Sequence, residues 1–230
     1  MKRVEQAGWP LVFAFLDDRL WQLLGEHSLK AVLNPLLGGA AQQLPGIWVH
    51  HVEMGGCGWE PHVDVSGAPT DVKEGVDRIT MWLPLTPVSH DNGCIFAVPG
   101  SHRLELMQRF DSTDVVSLDE VIRLFHKAEA MEAEPGDALL WRFQTLHWGG
   151  PSLPTAKNAR TSLSIELGHS EVPAHQDVQP TWPLGAMPSF ETRLFLIGRS
   201  LVMYGQAKDR EPYASRFIDV GRALVELFSS

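Results

Sequence analysis

Scarcity narrows the field first. Cysteine occurs only at Cys57 and Cys94 in 230 residues. That number and spacing build neither a disulfide framework nor a zinc knuckle, and two reduced thiols fit a reducing compartment. Positive charge is also scarce and unclustered: 19 Lys and Arg stand against 28 Asp and Glu, a formal net charge of -9. The expectation is therefore no nucleic-acid partner and no anionic membrane surface. The apolar run "LVFAFL" at 11–16 stops at Asp17 and Asp18. It is too short for a signal-peptide core, and no run approaches the roughly 20 apolar residues of a membrane span. These absences set a cytoplasmic location as the expectation. There is no GxGxxG or P-loop pattern, no internal repeat and no regular alternation of strands and helices, which disfavours a nucleotide-cradling doubly wound sheet.

What is present is an ordinary globular composition, 44% hydrophobic and 20% charged. It suits a single domain over 1–230. Residues 10–37 read as a short extended run followed by helices. Asp17 or Asp18 can cap "RLWQLLGEH", and Ser28 can cap "LKAVLNPLL" before Gly38 and Gly39. From residue 47 the texture turns to strand, with "IWVHHVEM" at 47–54, then a His-x-Asp strand in "GWEPHVDVSG" at 58–67. "DRITMWLPL" at 77–85 and "CIFAV" at 94–98 read as the two arms of a hairpin over 78–98 around the turn "HDNG". Ser117 and Glu120 make a capping box for a helix at 117–125 whose apolar residues recur at helical spacing. Strand texture returns in "ALLWRF" and in "RTSLSIELG" at 160–168, and helices are expected at 191–204 and 213–228. Many short strands broken by Gly and Pro turns indicate a sandwich or barrel, mainly β with flanking α.

One polar constellation stands out. On a strand His62 and Asp64 would project to one face and Val63 to the other. Two ligands need a third, and His147 is the candidate, since it ends the apolar run "ALLWRFQTL" and leads into the turn "WGG". Two imidazoles and one carboxylate make the facial triad of non-haem Fe(II) oxygenases, with positions left open for a cosubstrate and O2. A zinc hydrolase can use the same set. Arg160 lies thirteen residues beyond His147 and can pair with a carboxylate, Lys157 being the only other cation nearby. Arg160, Ser162, Ser164 and Glu166 share one face of their strand. That face either lines a pocket or is the wet side of an edge strand.

The segments "PHVD", "ITMWLPLTPVSHDNGCIFAVPGSHR", "EPGDALLWRFQTLHWGG" and "ARTSLSIEL" together resemble the phytanoyl-CoA dioxygenase family of Fe(II)- and 2-oxoglutarate-dependent oxygenases. The resemblance implies a double-stranded β-helix, a cupin-like jelly roll, over about 47–168. A helical N-terminal part of about 1–46 and an irregular to helical tail of about 169–230 would flank it. It implies His62, Asp64 and His147 as iron ligands and Arg160 as the grip on the distal carboxylate of 2-oxoglutarate. His50 and Ser162 become candidates for further cosubstrate contacts. Trp59, Trp82 and Arg142 become candidates to line the substrate pocket. Because Asp64 is present, where related halogenases have Gly or Ala, the implied reaction is hydroxylation or another C–H oxidation, with succinate and CO2 released. An acyl-CoA would call for more Lys and Arg than these strands offer, so a small metabolite or natural-product intermediate is the expected substrate. A monomer or homodimer is expected. A cupin-like zinc enzyme and a non-catalytic binding protein on the same fold are the alternatives.

Overall fold

The strand texture from residue 41 onward resolves into nine strands among the described residues of the computed structural model. Those residues are 4, 6–25, 27–64, 78–103, 117–169, 180–203 and 214–228. The chain forms two compact units, residues 1–49 with 164–230, and residues 50–163. The unit boundaries fall inside β1 (Ala41–Val52) and β8 (Arg160–His169).

The unit of residues 50–163 carries the candidate chemistry. Here β6 (Leu139–Arg142), β3 (Arg78–Pro84) and β8 lie side by side in one sheet. A second sheet has the order β2 (Trp59–His62), β7 (His147–Gly149), β4 (Ile95–Ala97), β5 (Glu129–Met131). Trp82, Trp141 and Leu139 from the first sheet pack with Ile95, Phe96 and Met131 from the second, together with Val88 and the buried thiol of Cys94. A smaller cluster gathers Val98, Leu124 and Leu146, with Val63 and Trp148 against it. The fold is mainly β with flanking α, the double-stranded β-helix expected from the sequence.

The hairpin expected over 78–98 does not form. β3 pairs with β6, while β4 pairs with β5 and β7 in the other sheet. The connection between them is a crossing from sheet to sheet, held by the bridges Val88–Ala133 and Asn92–Ser152. Apolar arms and an Asn-Gly turn are shared by hairpins and by such corners. Only Gly93 adopts the left-handed conformation there, at φ 81°.

α1 (Asp18–Leu24), α2 (His27–Leu37) and β9 (Trp182–Pro183) belong to the other unit, with α4 (Phe190–Met203) and α5 (Ala214–Phe228). Asp17 caps α1 as expected. The preceding run 11–16 is a 3-10 helix rather than extended, and its five consecutive residues Leu11 to Phe15 are all buried. α2 starts at His27, so Ser28 lies inside it and not at its N-cap. β1 starts at Ala41, six residues before the expected strand. In unit order, β8, β1 and β9 are neighbours, with Gln42 and Gln43 opposite Pro183 and Trp182. The helix α3 (Leu118–Phe125) of the unit of residues 50–163 begins with the expected capping box. Its apolar stripe is not wholly inward: Leu124 is buried, whereas Leu118 is 72% exposed. Val65 and His175 lie outside the described residues.

Candidate metal centre

β2 ends at His62, so Asp64 sits just past the strand rather than within it. Its backbone N–H donates to the carbonyl of Phe143 at 2.8 Å, which ties the bend to the end of β6. His147 opens β7 directly opposite His62. Sheet register therefore brings together two imidazoles that are far apart in sequence, and the bend adds the carboxylate. One donor atom from each of His62, Asp64 and His147 lies within 4.8 Å of the others.

The outer atoms of all three are occupied. His62 Nδ1 bonds the Glu60 carbonyl at 2.7 Å, and His147 Nδ1 bonds the Thr145 carbonyl at 2.9 Å. Asp64 Oδ2 accepts from Thr80 Oγ1 at 2.5 Å and from Trp141 Nε1 at 2.9 Å. What remains is Nε2, Oδ1 and Nε2. Asp64 Oδ1 lies 3.7 Å from His62 Nε2 and 3.6 Å from His147 Nε2. These gaps are too long for hydrogen bonds, and the facing lone pairs suit one cation between them. Burial lowers the pKa of His147, favouring the neutral imidazole that a metal ligand requires. The donor set of two imidazoles and a single carboxylate fits Fe(II) or Zn(II).

Arg160 and Ser162 project from the same face of β8, and both are buried, at 2% and 0% exposure. The face is thus no wet edge: β8 lies between β3 and β1. Arg160 Nη1 donates to the Gly93 carbonyl at 2.5 Å, while its Nε and the Ser162 hydroxyl have no hydrogen-bond partner among the described residues. The guanidinium lies 5.9 Å over the ring of Trp82. Burial pushes Arg160 down to about 10, so it stays cationic at neutral pH. Among the described residues no carboxylate forms an ion pair with it. A Cβ added at Gly149 would fall 3.0 and 3.1 Å from its two terminal nitrogens, so the glycine clears the guanidinium. A buried cation with a vacant donor beside a vacant hydroxyl suits an anionic ligand.

His50, on β1, lies deep enough that desolvation, with the Arg160 charge next, pushes its imidazole down to about 3. Trp59 is 54% exposed, with its ring edge towards His50 and His62 at 6.5 and 6.4 Å. It is the one substrate candidate that combines exposure with proximity to the triad. Trp82 is 2% exposed inside the core cluster, and its ring lies 5.9 Å from the Arg160 guanidinium. Arg142 is half-buried at the end of β6, and its charge lowers the pKa of His102 behind the larger effect of desolvation. Thr80 and Trp141 escaped the sequence reading. The signal for Thr80 was a hydroxyl among the apolar residues of β3, and Trp141 carried none.

A jelly roll that turns two imidazoles and one carboxylate towards a common point defines a class, the cupin-like metal-binding proteins. The chain belongs to the phytanoyl-CoA dioxygenase family, whose sequence profile matches residues 10–157. It is 30% identical over 87 residues to the iron/alpha-ketoglutarate-dependent dioxygenase ausO of Aspergillus calidoustus, a match over 38% of this chain and 26% of that protein. The chain thus spans about a quarter of the length of that curated relative. Among solved structures it is similar to the non-heme alpha ketoglutarate dependent epimerase SnoN from nogalamycin biosynthesis. That likeness has a TM-score of 0.51 at 23% identity over 66% of this chain and 59% of the other. EctD from S. alaskensis with bound Fe aligns with a TM-score of 0.51 at 18% identity, over 65% and 52%. HygX from Streptomyces hygroscopicus with iron bound aligns with a TM-score of 0.50 at 16% identity, over 70% of each chain. At such identities the structural likeness shows the fold alone.

Proposed function

We propose that this chain is an Fe(II)- and 2-oxoglutarate-dependent dioxygenase that oxidises a C–H bond of a small metabolite or natural-product intermediate. The observation that carries this reading is the pairing of two preorganised features in one unit. One is a triad with its outer atoms tied back. The other is a buried arginine with an unused donor. His62, Asp64 and His147 would hold the iron. When bound, the iron would supply activation of O2 coupled to the decarboxylation of 2-oxoglutarate to succinate and CO2.

The chain's own residues supply position and electrostatics. Arg160 anchors the distal carboxylate of 2-oxoglutarate, with the Ser162 hydroxyl as a second donor on the same face. His50 stays neutral at working pH and so adds no competing positive charge beside Arg160. His62 is the more open ligand, its side chain 35% exposed against 5% for His147. Substrate therefore approaches along the His62 side and meets the exposed ring of Trp59. The presence of Asp64 favours hydroxylation or a related oxidation over halide transfer.

Reconstitution with Fe(II) under anaerobic conditions, then exposure to O2 and 2-oxoglutarate, is expected to yield succinate. His62→Ala and His147→Ala reduce it to the no-enzyme background. Turnover that survives loss of both histidines would sink the proposal. Stoichiometric zinc in chelator-free protein, with no consumption of 2-oxoglutarate, would instead favour the zinc enzyme.

A further inference from the structure

We infer that Thr80 and Trp141 act as one positioning pair that makes Asp64 a single-oxygen metal ligand. This rests on the reading of His62, Asp64 and His147 as a metal triad. Thr80 on β3 and Trp141 on β6 are direct cross-strand partners. Residues opposite one another in an antiparallel pair project to the same face. One rung of the sheet thereby delivers two donors to one oxygen: Thr80 Oγ1 and Trp141 Nε1 both reach Asp64 Oδ2. The aspartate needs this support because it lies beyond the end of β2, where strand pairing no longer fixes its side chain.

The geometry has a chemical consequence. A carboxylate free to rotate can chelate a cation with both oxygens and fill an additional coordination position. With Oδ2 saturated by two donors, only Oδ1 faces the two imidazoles. Three ligand atoms then come from the protein, and the other positions stay open. Trp141 contributes a second constraint, since its ring lies 4.6 Å from that of His147 at a tilt of 42°. The same side chain therefore orients the carboxylate and walls one imidazole.

The test is metal affinity of the apoprotein, read with Mn(II) by electron paramagnetic resonance and with Co(II) by visible absorption. Thr80→Val removes the hydroxyl at nearly constant volume, and Trp141→Phe removes the indole N–H. Each is expected to weaken Mn(II) binding roughly tenfold or more, in line with outer-shell partners elsewhere. Thr80→Ser keeps the donor and is expected to bind as the wild type does. The Co(II) spectra of Thr80→Val and Trp141→Phe should also shift, because the coordination number changes when Asp64 turns. Far-UV circular dichroism of each apo variant confirms folding, and either folded variant is sufficient to decide. Mn(II) affinity and Co(II) spectra unchanged from wild type in a folded variant overturn the inference. A wild type that binds neither cation overturns the triad reading itself, a distinguishable failure.

Discussion

Arg160 concentrates the electrostatics of the site in one side chain. It is buried, it is charged at neutral pH, and among the described residues it has no carboxylate partner. An anion that satisfies it should be held by charge-assisted hydrogen bonds of about 1.5–3 kcal/mol each. Arg160→Lys keeps the charge but loses the fork. The expected result is a KM for 2-oxoglutarate raised about 10- to 100-fold, on that same energy scale, with kcat changed far less. Gly149→Ala should act in the same direction, because the new Cβ would meet both terminal nitrogens at 3.0 and 3.1 Å. Steady-state kinetics at saturating O2 checks both, and an unchanged KM in Arg160→Lys would remove Arg160 from the cosubstrate site. The grouping of His62, Asp64 and His147 was an expectation of the sequence, and donor atoms of the three do lie within 4.8 Å of one another. Arg160 was singled out by its distance from His147 and by the family resemblance. Thr80 and Trp141 were not legible in the sequence. They meet Asp64 only through sheet register, across 16 and 77 residues of chain, and each by itself reads as an ordinary strand residue.

At the scale of elements, local signals and pairing partners separate cleanly. The capping box at Ser117 and Glu120 and the cap at Asp17 depend on neighbours within a few residues, and both were readable. Which strand lies beside which was not, since the near-continuous apolar runs of β3 and β4 are equally compatible with one hairpin or with two sheets. The helix pair α4 and α5 shows how a close approach is built. A Cβ at Gly198 would lie 2.8 Å from the Gly221 carbonyl oxygen and 2.8 Å from Leu224 Cβ. Alanine is favoured over glycine inside a helix by about 1 kcal/mol. Overpacking at a well-fitted contact costs about 1–3 kcal/mol. Gly198→Ala is therefore expected to destabilise despite its better helix propensity. Lower urea midpoints with an unchanged m-value would register it, whereas a stabilised variant would mean that the two helices separate at little cost.

For the whole molecule, two desolvated imidazoles, the partly buried His50 and the buried His147, set a direction for stability against pH. His50 is pushed down to about 3 and His147 is also lowered, both chiefly by desolvation. In the unfolded chain an imidazole titrates near 6.5. Between those values the unfolded chain binds more protons than the folded one, so stability rises with pH. Their contribution is complete above about pH 6.5 and is lost as pH falls towards about 3. The side-chain hydrogen bond from Arg19 holds the Asp17 carboxylate low, but its loss begins only in the carboxylate range near pH 4. The interval from pH 7.5 to 5 therefore isolates the imidazoles. Urea midpoints of the metal-free protein, with chelator present, should fall across that interval. His50→Gln, which has nothing to titrate, should flatten the slope relative to wild type. A wild-type midpoint that stays constant from pH 7.5 to 5 would mean that these rings gain protons without unfolding the chain. The burial that lowers the pKa of His147 would then be far shallower than its surroundings imply.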